Sequence, residues 1–123
     1  MDYIERNHRA VLGMLVACRD TFSNYSFPMK QTYSFDVIGF KEEKPYRVKV
    51  ISTDSKQPSG SYIANLRKSG GYSNSKEHKA PFDPKECDYV YICTPSEKYL
   101  IPSEKIKQRR AITLSQFNEF MLV

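Results

Sequence analysis

The sequence predicts an α/β or α+β domain, with a mixed or mostly antiparallel sheet packed on an N-terminal helix. Three stretches predict it. Residues 2 to about 20 carry apolar side chains at helical spacing. Thr32 to Thr53 holds two β-rich runs around a short charged turn. Asp88-Tyr-Val-Tyr-Ile-Cys93 is the most apolar run and reads as a central strand. The 123 residues match one ordinary domain, 1–123, large enough to bury a core.

On the first helix Ile4, Val11, Leu12, Leu15 and Val16, with Cys18 beside them, fall on one side. Asp2 is placed as an N-cap, with Glu5 three residues on as in a capping box. His8 lies on or near the buried face and reads as a packed or partly exposed histidine. No second metal-type residue sits one turn away. Tyr25-Ser-Phe27 is a short strand or an extended entry to the hairpin, closed by Pro28.

In the first run of the hairpin, Tyr33, Phe35 and Val37 alternate with Asp36, Ile38 and Phe40. In the second, Tyr46, Val48 and Val50 alternate with Arg47, Lys49 and Ile51. Strand side chains alternate faces, so each run has two separable stripes. Lys41 to Pro45 is polar and ends in proline, as a hairpin loop does.

Asp54 to Gly60 is a loop by composition, and Ser61 to Arg67 is extended with Tyr62 and Ile63 as anchors. Lys68 to Pro84 is rich in Gly, Ser, Asn, Lys and Pro; loops of that length are usually functional or mobile. Lys98-Tyr-Leu-Ile101 pairs back on the 88–93 strand. Pro102 and Ser103 start a short helix to about Arg109, and Thr113 caps a last helical turn, 114–120. The expected central sheet thus contains strands near 33–40, 46–53, 62–66, 88–93 and 98–101.

Lys and Arg number 19 against 14 Asp and Glu, for a net charge of +5. That balance favours a polyanionic partner, most simply nucleic acid. Cys18, Cys87 and Cys93 are odd in number and show no C-x-x-C spacing, which argues against a zinc site or a disulfide framework. They fit a reducing, intracellular compartment: cytoplasm, nucleoid or organelle matrix. No apolar run is long enough to span a membrane, and the N-terminus is too polar for a signal peptide. One acid, Asp36, sits inside an apolar strand. An acid there is costly unless it is paired, exposed at a strand end, or bound to a metal.

Six stretches in order resemble one family: Tyr-Ser-Phe-Asp-Val-Ile (33–38), Tyr-Arg-Val-Lys-Val-Ile-Ser-Thr (46–53), Tyr-Ile-Ala-Asn-Leu-Arg (62–67), Cys-Asp-Tyr-Val-Tyr-Ile (87–92), Tyr-Leu-Ile-Pro (99–102) and Arg-Ala-Ile-Thr-Leu (110–114). The chain is similar to the PD-(D/E)XK nuclease superfamily, and more closely to the small endonucleases encoded in bacterial and phage group I introns. The resemblance implies a restriction-endonuclease-like core and a divalent metal held by carboxylates. In that chemistry the metal activates water and polarises the phosphate, and a lysine two residues beyond the second ligand orients the water.

The resemblance maps the metal-binding Asp onto Asp36, the second ligand onto Lys49 and the catalytic lysine onto Ile51. A protonated lysine cannot bind a metal, and isoleucine has no polar side-chain atom. The helix carboxylate position falls near His8, with Glu5 almost one turn away, and Glu42 and Glu43 lie too far along in the turn. A site of this kind is catalytically degenerate: Asp36 pairs with Lys49 across the hairpin, and no metal or small-molecule cofactor is expected. Magnesium is expected only for a divergent active enzyme, one that borrows a ligand from another protomer.

The resulting expectation is nucleic-acid binding, DNA or RNA, without cutting, through Arg47, Lys49, Arg67 and Lys68, with Tyr72 stacking on a base. Lys105, Lys107, Arg109 and Arg110 read as the solvated face of a short surface helix. The alternative is a structural or protein-interaction role on a nuclease fold, as a subunit, an antagonist or a homo-oligomer. The 68–84 loop and an exposed apolar tail, Phe120 to Val123, would then make the contact.

Overall fold

A computed structural model of the chain describes residues 3–29, 34–66 and 81–122. Helix α1 spans Tyr3–Ala17. Its buried stripe is Ala10, Met14 and Cys18, flanked by half-buried Val11, Leu15 and Ala17. Leu12 and Val16, expected on the buried side, are each 63% exposed, and His8 is exposed too. At 3.6 residues per turn, positions 12 and 16 lie across the helix from 10, 14 and 18. The small Ala10 and Cys18 let the helix approach the sheet closely, so the narrower stripe goes inward. Asp2 and the Glu5 side chain, the expected capping box, lie outside the described residues.

Strands β1 (Asn24–Ser26), β2 (Val37–Lys41), β3 (Lys44–Ser52), β5 (Tyr89–Cys93) and β6 (Lys98–Pro102) form one sheet in the order β1-β2-β3-β5-β6. All neighbours are antiparallel except β3 and β5, which run parallel, so the sheet is mixed. The β2–β3 hairpin turns on Glu42 and Glu43, both with positive φ, 53° and 68°. That is the backbone twist a two-residue hairpin loop needs, built here without glycine.

Alternation on the strands separates two cores. Val37, Val48, Val50, Tyr91 and Leu100 pack with Phe22 against α1. Val90, Ile92, Tyr99 and Ile101 face the other way, onto Ala64, Leu66, Phe82, Ile112 and Leu114. Each fully buried aliphatic or aromatic chain contributes about 1.5–3 kcal/mol over exposure. Beside the first core, Gly39 lies under Phe22: a Cβ on residue 39 would stand 2.6 Å from the ring.

The second core is covered by a two-stranded sheet of β4 (Ile63–Asn65) and β7 (Ala111–Thr113). The expectation that the 62–66 strand joins the central sheet is therefore corrected, and β7 is a strand that the sequence reading did not include. Each has only three residues, too few to show an alternating pattern. Their register pairs Ala64 with Ile112, and both side chains plug the second core.

Helix α2 is a single turn, Ser103–Ile106, ended by Lys107 at φ 64°. Lys107, Arg109 and Arg110 thus lie beyond it, exposed, rather than on a helix reaching Arg109. The C-terminal segment Leu114–Phe120 is 3₁₀ helix, kinked at Phe117. Thr113 does not cap it by its side chain; its Oγ1 accepts from Gln57 Nε2 at 3.2 Å. The tail is seated rather than free. Phe120 is half-buried on the second core, Leu122 packs on the first, and the Leu122 N–H donates to Lys98 O at 2.7 Å. Met121, 39% exposed, bridges to Tyr99. Among the described residues no helix is long and apolar enough to cross a membrane.

Candidate functional site

Strand alternation puts Arg47, Lys49, Ile51 and then Thr53 on the face of β3 opposite to Val48 and Val50, the second-core side. Asp36 stands just before β2, one step beyond the Val37–Val48 pair, which sets it opposite Lys49. Its N–H donates to Val48 O at 2.9 Å, and its Oδ2 accepts the Val50 N–H at 2.7 Å. Lys49 is buried, 9% exposed, and Ile51 packs with Phe35 on the second core. The hairpin therefore brings Asp36, Arg47, Lys49 and Ile51 to one face. Arg67, Lys68 and Tyr72 lie outside the described residues, as does the 68–84 loop up to residue 80.

Arg47 is tied down on its other side. Its backbone N–H donates to Asp88 Oδ2 at 2.7 Å, its Nε lies 3.5 Å from the same oxygen, and its Nη2 donates to Lys85 O at 3.0 Å. The Asp88 N–H donates back to Arg47 O at 2.8 Å, and Ser103 N–H donates to Asp88 O at 3.0 Å. Asp88 thus locks β3, β5 and α2 together where β3 and β5 run side by side. Next to it, buried Cys87 Sγ lies 3.5 Å from Ser103 Oγ. Burial pushes the Cys87 thiol up, while the Ser103 contact and the charges of Lys49 and Arg47 pull it back in part.

Asp88, Cys87 and Ser103 were not among the site residues expected from the sequence. The available signal was an acid opening an apolar strand, the same signal that marked Asp36.

At the far end of the same β3 row a cavity of about 220 Å³ is lined by Thr53, Ser55, Ile63, Asn65, Arg110 and Ala111. Thr53 Oγ1 donates to Ile63 O at 2.7 Å, which holds β4 beside the end of β3. The Leu66 N–H donates to Arg110 O at 2.9 Å, which ties Arg110 to the end of β4. Arg110, read from sequence as part of a solvated helix, is instead a rim residue of this cavity. It is exposed there, beside Ser55 and Asn65, while the Thr53 hydroxyl is held by Ile63 O.

The resemblance implies a divalent metal, and the set of Asp36, Lys49 and Ile51 among the described residues does not fit one. Such an ion needs several oxygen ligands. Asp36 offers one carboxylate with an oxygen already taking an N–H, beside an ammonium and an aliphatic chain. Among the described residues no three His, Cys, Asp or Glu gather as a metal set.

No family model and no curated protein matches this chain. Among solved structures it resembles the bacterial homing endonuclease I-Ssp6803I, with a TM-score of 0.69 and 16% identity, over 93% of this chain and 78% of that one. At that identity the likeness is one of fold: this chain has a homing endonuclease-like α+β fold, with a mixed sheet and an N-terminal helix.

Proposed function

We propose that the chain is an endonuclease-fold domain that holds nucleic acid, without cutting it, at the accessible ends of the Arg47–Thr53 row of β3: Arg47 at one end and the Arg110 cavity rim at the other. One observation carries this reading. Lys49 and Ile51 occupy the positions that the PD-(D/E)XK resemblance assigns to a metal ligand and the catalytic lysine, and one oxygen of the Asp36 carboxylate already accepts the Val50 N–H. A face of that composition meets phosphate through cations and amide donors. Exposed Arg110 supplies a cation at the rim of the 220 Å³ cavity, and exposed Arg109 precedes it in the chain. Half-exposed Arg47 extends the positive edge at the other end of the row, and buried Lys49 adds charge beneath it.

The test is anisotropy of labelled duplex and single-stranded DNA and RNA at several salt concentrations, for wild type and Arg110→Ala. Binding weakens steeply with salt because neutralised phosphates release counterions. Arg110→Ala lowers the salt slope by about one unit on every sequence. Magnesium-dependent cleavage that disappears in Asp36→Ala overturns the reading, as does no binding at low salt.

The second reading, a protein contact as a subunit or antagonist, is favoured by Leu12 and Val16. They are 63% exposed one turn apart on α1. It predicts salt-tolerant association with a protein and little affinity for nucleic acid.

A further inference from the structure

A second cavity, about 300 Å³, lies on the opposite face of the sheet, between α1 and the carboxyl ends of β3 and β5. Its walls are Arg9 and Gly13 of α1, Ser52 of β3, Tyr91 and Cys93 of β5, and Lys98 of β6. Ser52 and Cys93 are the last register pair of the parallel strands. The crevice outside the carboxyl ends of parallel strands is where open α/β sheets receive ligands.

Tyr91 is the informative residue. It has no exposed surface, and its hydroxyl is the buried side-chain polar atom left without a hydrogen-bond partner among the described residues. Buried phenols normally find one. The hydroxyl lies beside the cavity wall: a Cβ built on Gly13 would stand 3.9 Å from it. Burial pushes the phenol well above its ordinary range, with Cys93 and Cys18 adding to the shift, so it stays a donor. The Thr94 hydroxyl, also in the wall, is already used by Ser96, Glu97 and its own donation to Glu97 O. Outside, Arg9 and Lys98 are exposed at the mouth.

The geometry points to a binding site for a phosphate monoester in this cleft, with the Tyr91 hydroxyl donating from within and Arg9 and Lys98 balancing the charge. Two cations match a dianion, where a carboxylate would leave one unbalanced. A water has a share of roughly 30 Å³ in the liquid, so the cavity takes a phosphate with a small organic group. It sits at the lower end of the roughly 300–1,000 Å³ usual for ligand sites. The phosphate comes either on a free mononucleotide-sized molecule or on the end of a nucleic-acid strand. The site does not depend on the nucleic-acid reading, because the sheet separates it from the Arg47–Thr53 face.

Cys93, half-buried in the wall, reports on occupancy, whereas Cys18 and Cys87 are buried. The rate of Cys93 alkylation by iodoacetamide, read by peptide mass spectrometry, is measured with inorganic phosphate, adenosine monophosphate, and a trinucleotide with and without a 5′-phosphate. Chloride at matched ionic strength is the control. Phosphate slows alkylation saturably. The mononucleotide acting more strongly identifies a small molecule; the phosphorylated strand acting where its unphosphorylated twin does not identifies a strand end. Tyr91→Phe, which keeps the ring, weakens the effect about tenfold, and Arg9→Ala/Lys98→Ala abolishes it. Equal protection by chloride overturns the proposal, as does full affinity in the double variant. Unchanged affinity in Tyr91→Phe also overturns it, since water alone then serves the hydroxyl.

Discussion

The Val50 N–H donates to Asp36 Oδ2 at 2.7 Å, so a carboxylate closes the open end of the β2–β3 hairpin. Asp36 also donates its own N–H to Val48 O. The acid therefore adds one rung to the ladder. Replacing Asp36 by alanine leaves a part-buried amide without that acceptor. It costs about 1–3 kcal/mol in urea unfolding, while Asp36→Asn, which keeps a side-chain oxygen, costs less.

The donor set around Asp36 makes a second expectation. Millimolar magnesium or manganese leaves the thermal midpoint unchanged. A centre binding metal at a hundredfold excess over Kd would add about 2.7 kcal/mol of stability. A calorimetric shift of that size, lost in Asp36→Ala, would show that the site holds metal after all.

Gly39→Ala is expected to destabilise the protein. The new methyl would meet the Phe22 ring at 2.6 Å. Phe22 cannot simply turn away, because Tyr25, Tyr46 and Tyr89 surround it at 6.1, 6.4 and 5.8 Å between ring centroids. Overpacking of this kind costs about 1–3 kcal/mol. Denaturant titration of the single variant, and of Gly39→Ala with Phe22→Leu, checks it: the second change recovers part of the loss.

Glu42 and Glu43 hold left-handed backbone that side chains disfavour. Replacing them by Asn-Gly keeps the same turn type and relieves about 1 kcal/mol of strain. The thermal midpoint rises without a change in fold, which the amide spectrum of the β2 and β3 residues would show.

Burial pushes the Cys18 thiol up to about 11 from its usual 9.0. The fold therefore favours the protonated thiol. Its contribution to stability is complete below pH 9.0 and is lost as the pH climbs through about 11. The phenols of Tyr25, Tyr91 and Tyr99 are raised as well and act in the same direction. The unfolding midpoint falls across that alkaline window, less steeply in Cys18→Ala. In native protein iodoacetamide reacts with Cys93 well before Cys18 or Cys87.

Strand alternation alone assigned Val48 and Val50 to one face of β3 and Lys49 and Ile51 to the other, because a pleat of period two leaves no choice. The hairpin, the 88–93 and 98–101 strands and the one-turn start at Ser103 were legible for the same local reasons. That a protonated Lys49 and Ile51 offer no oxygen ligand depends only on side-chain type. What the tertiary structure decided was everything that needs a partner from far along the chain. Leu12 and Val16 are more apolar than Ala10, yet Ala10 is buried, since close approach of helix to sheet rewards a small residue. Ile63 pairs with Thr113, which moves β4 out of the main sheet and places Arg110 at a cavity rim. That the Tyr91 hydroxyl has no partner among the described residues was invisible beforehand, because a hydroxyl's satisfaction depends on what α1 lays over it, and at Gly13 that is a residue with no side chain.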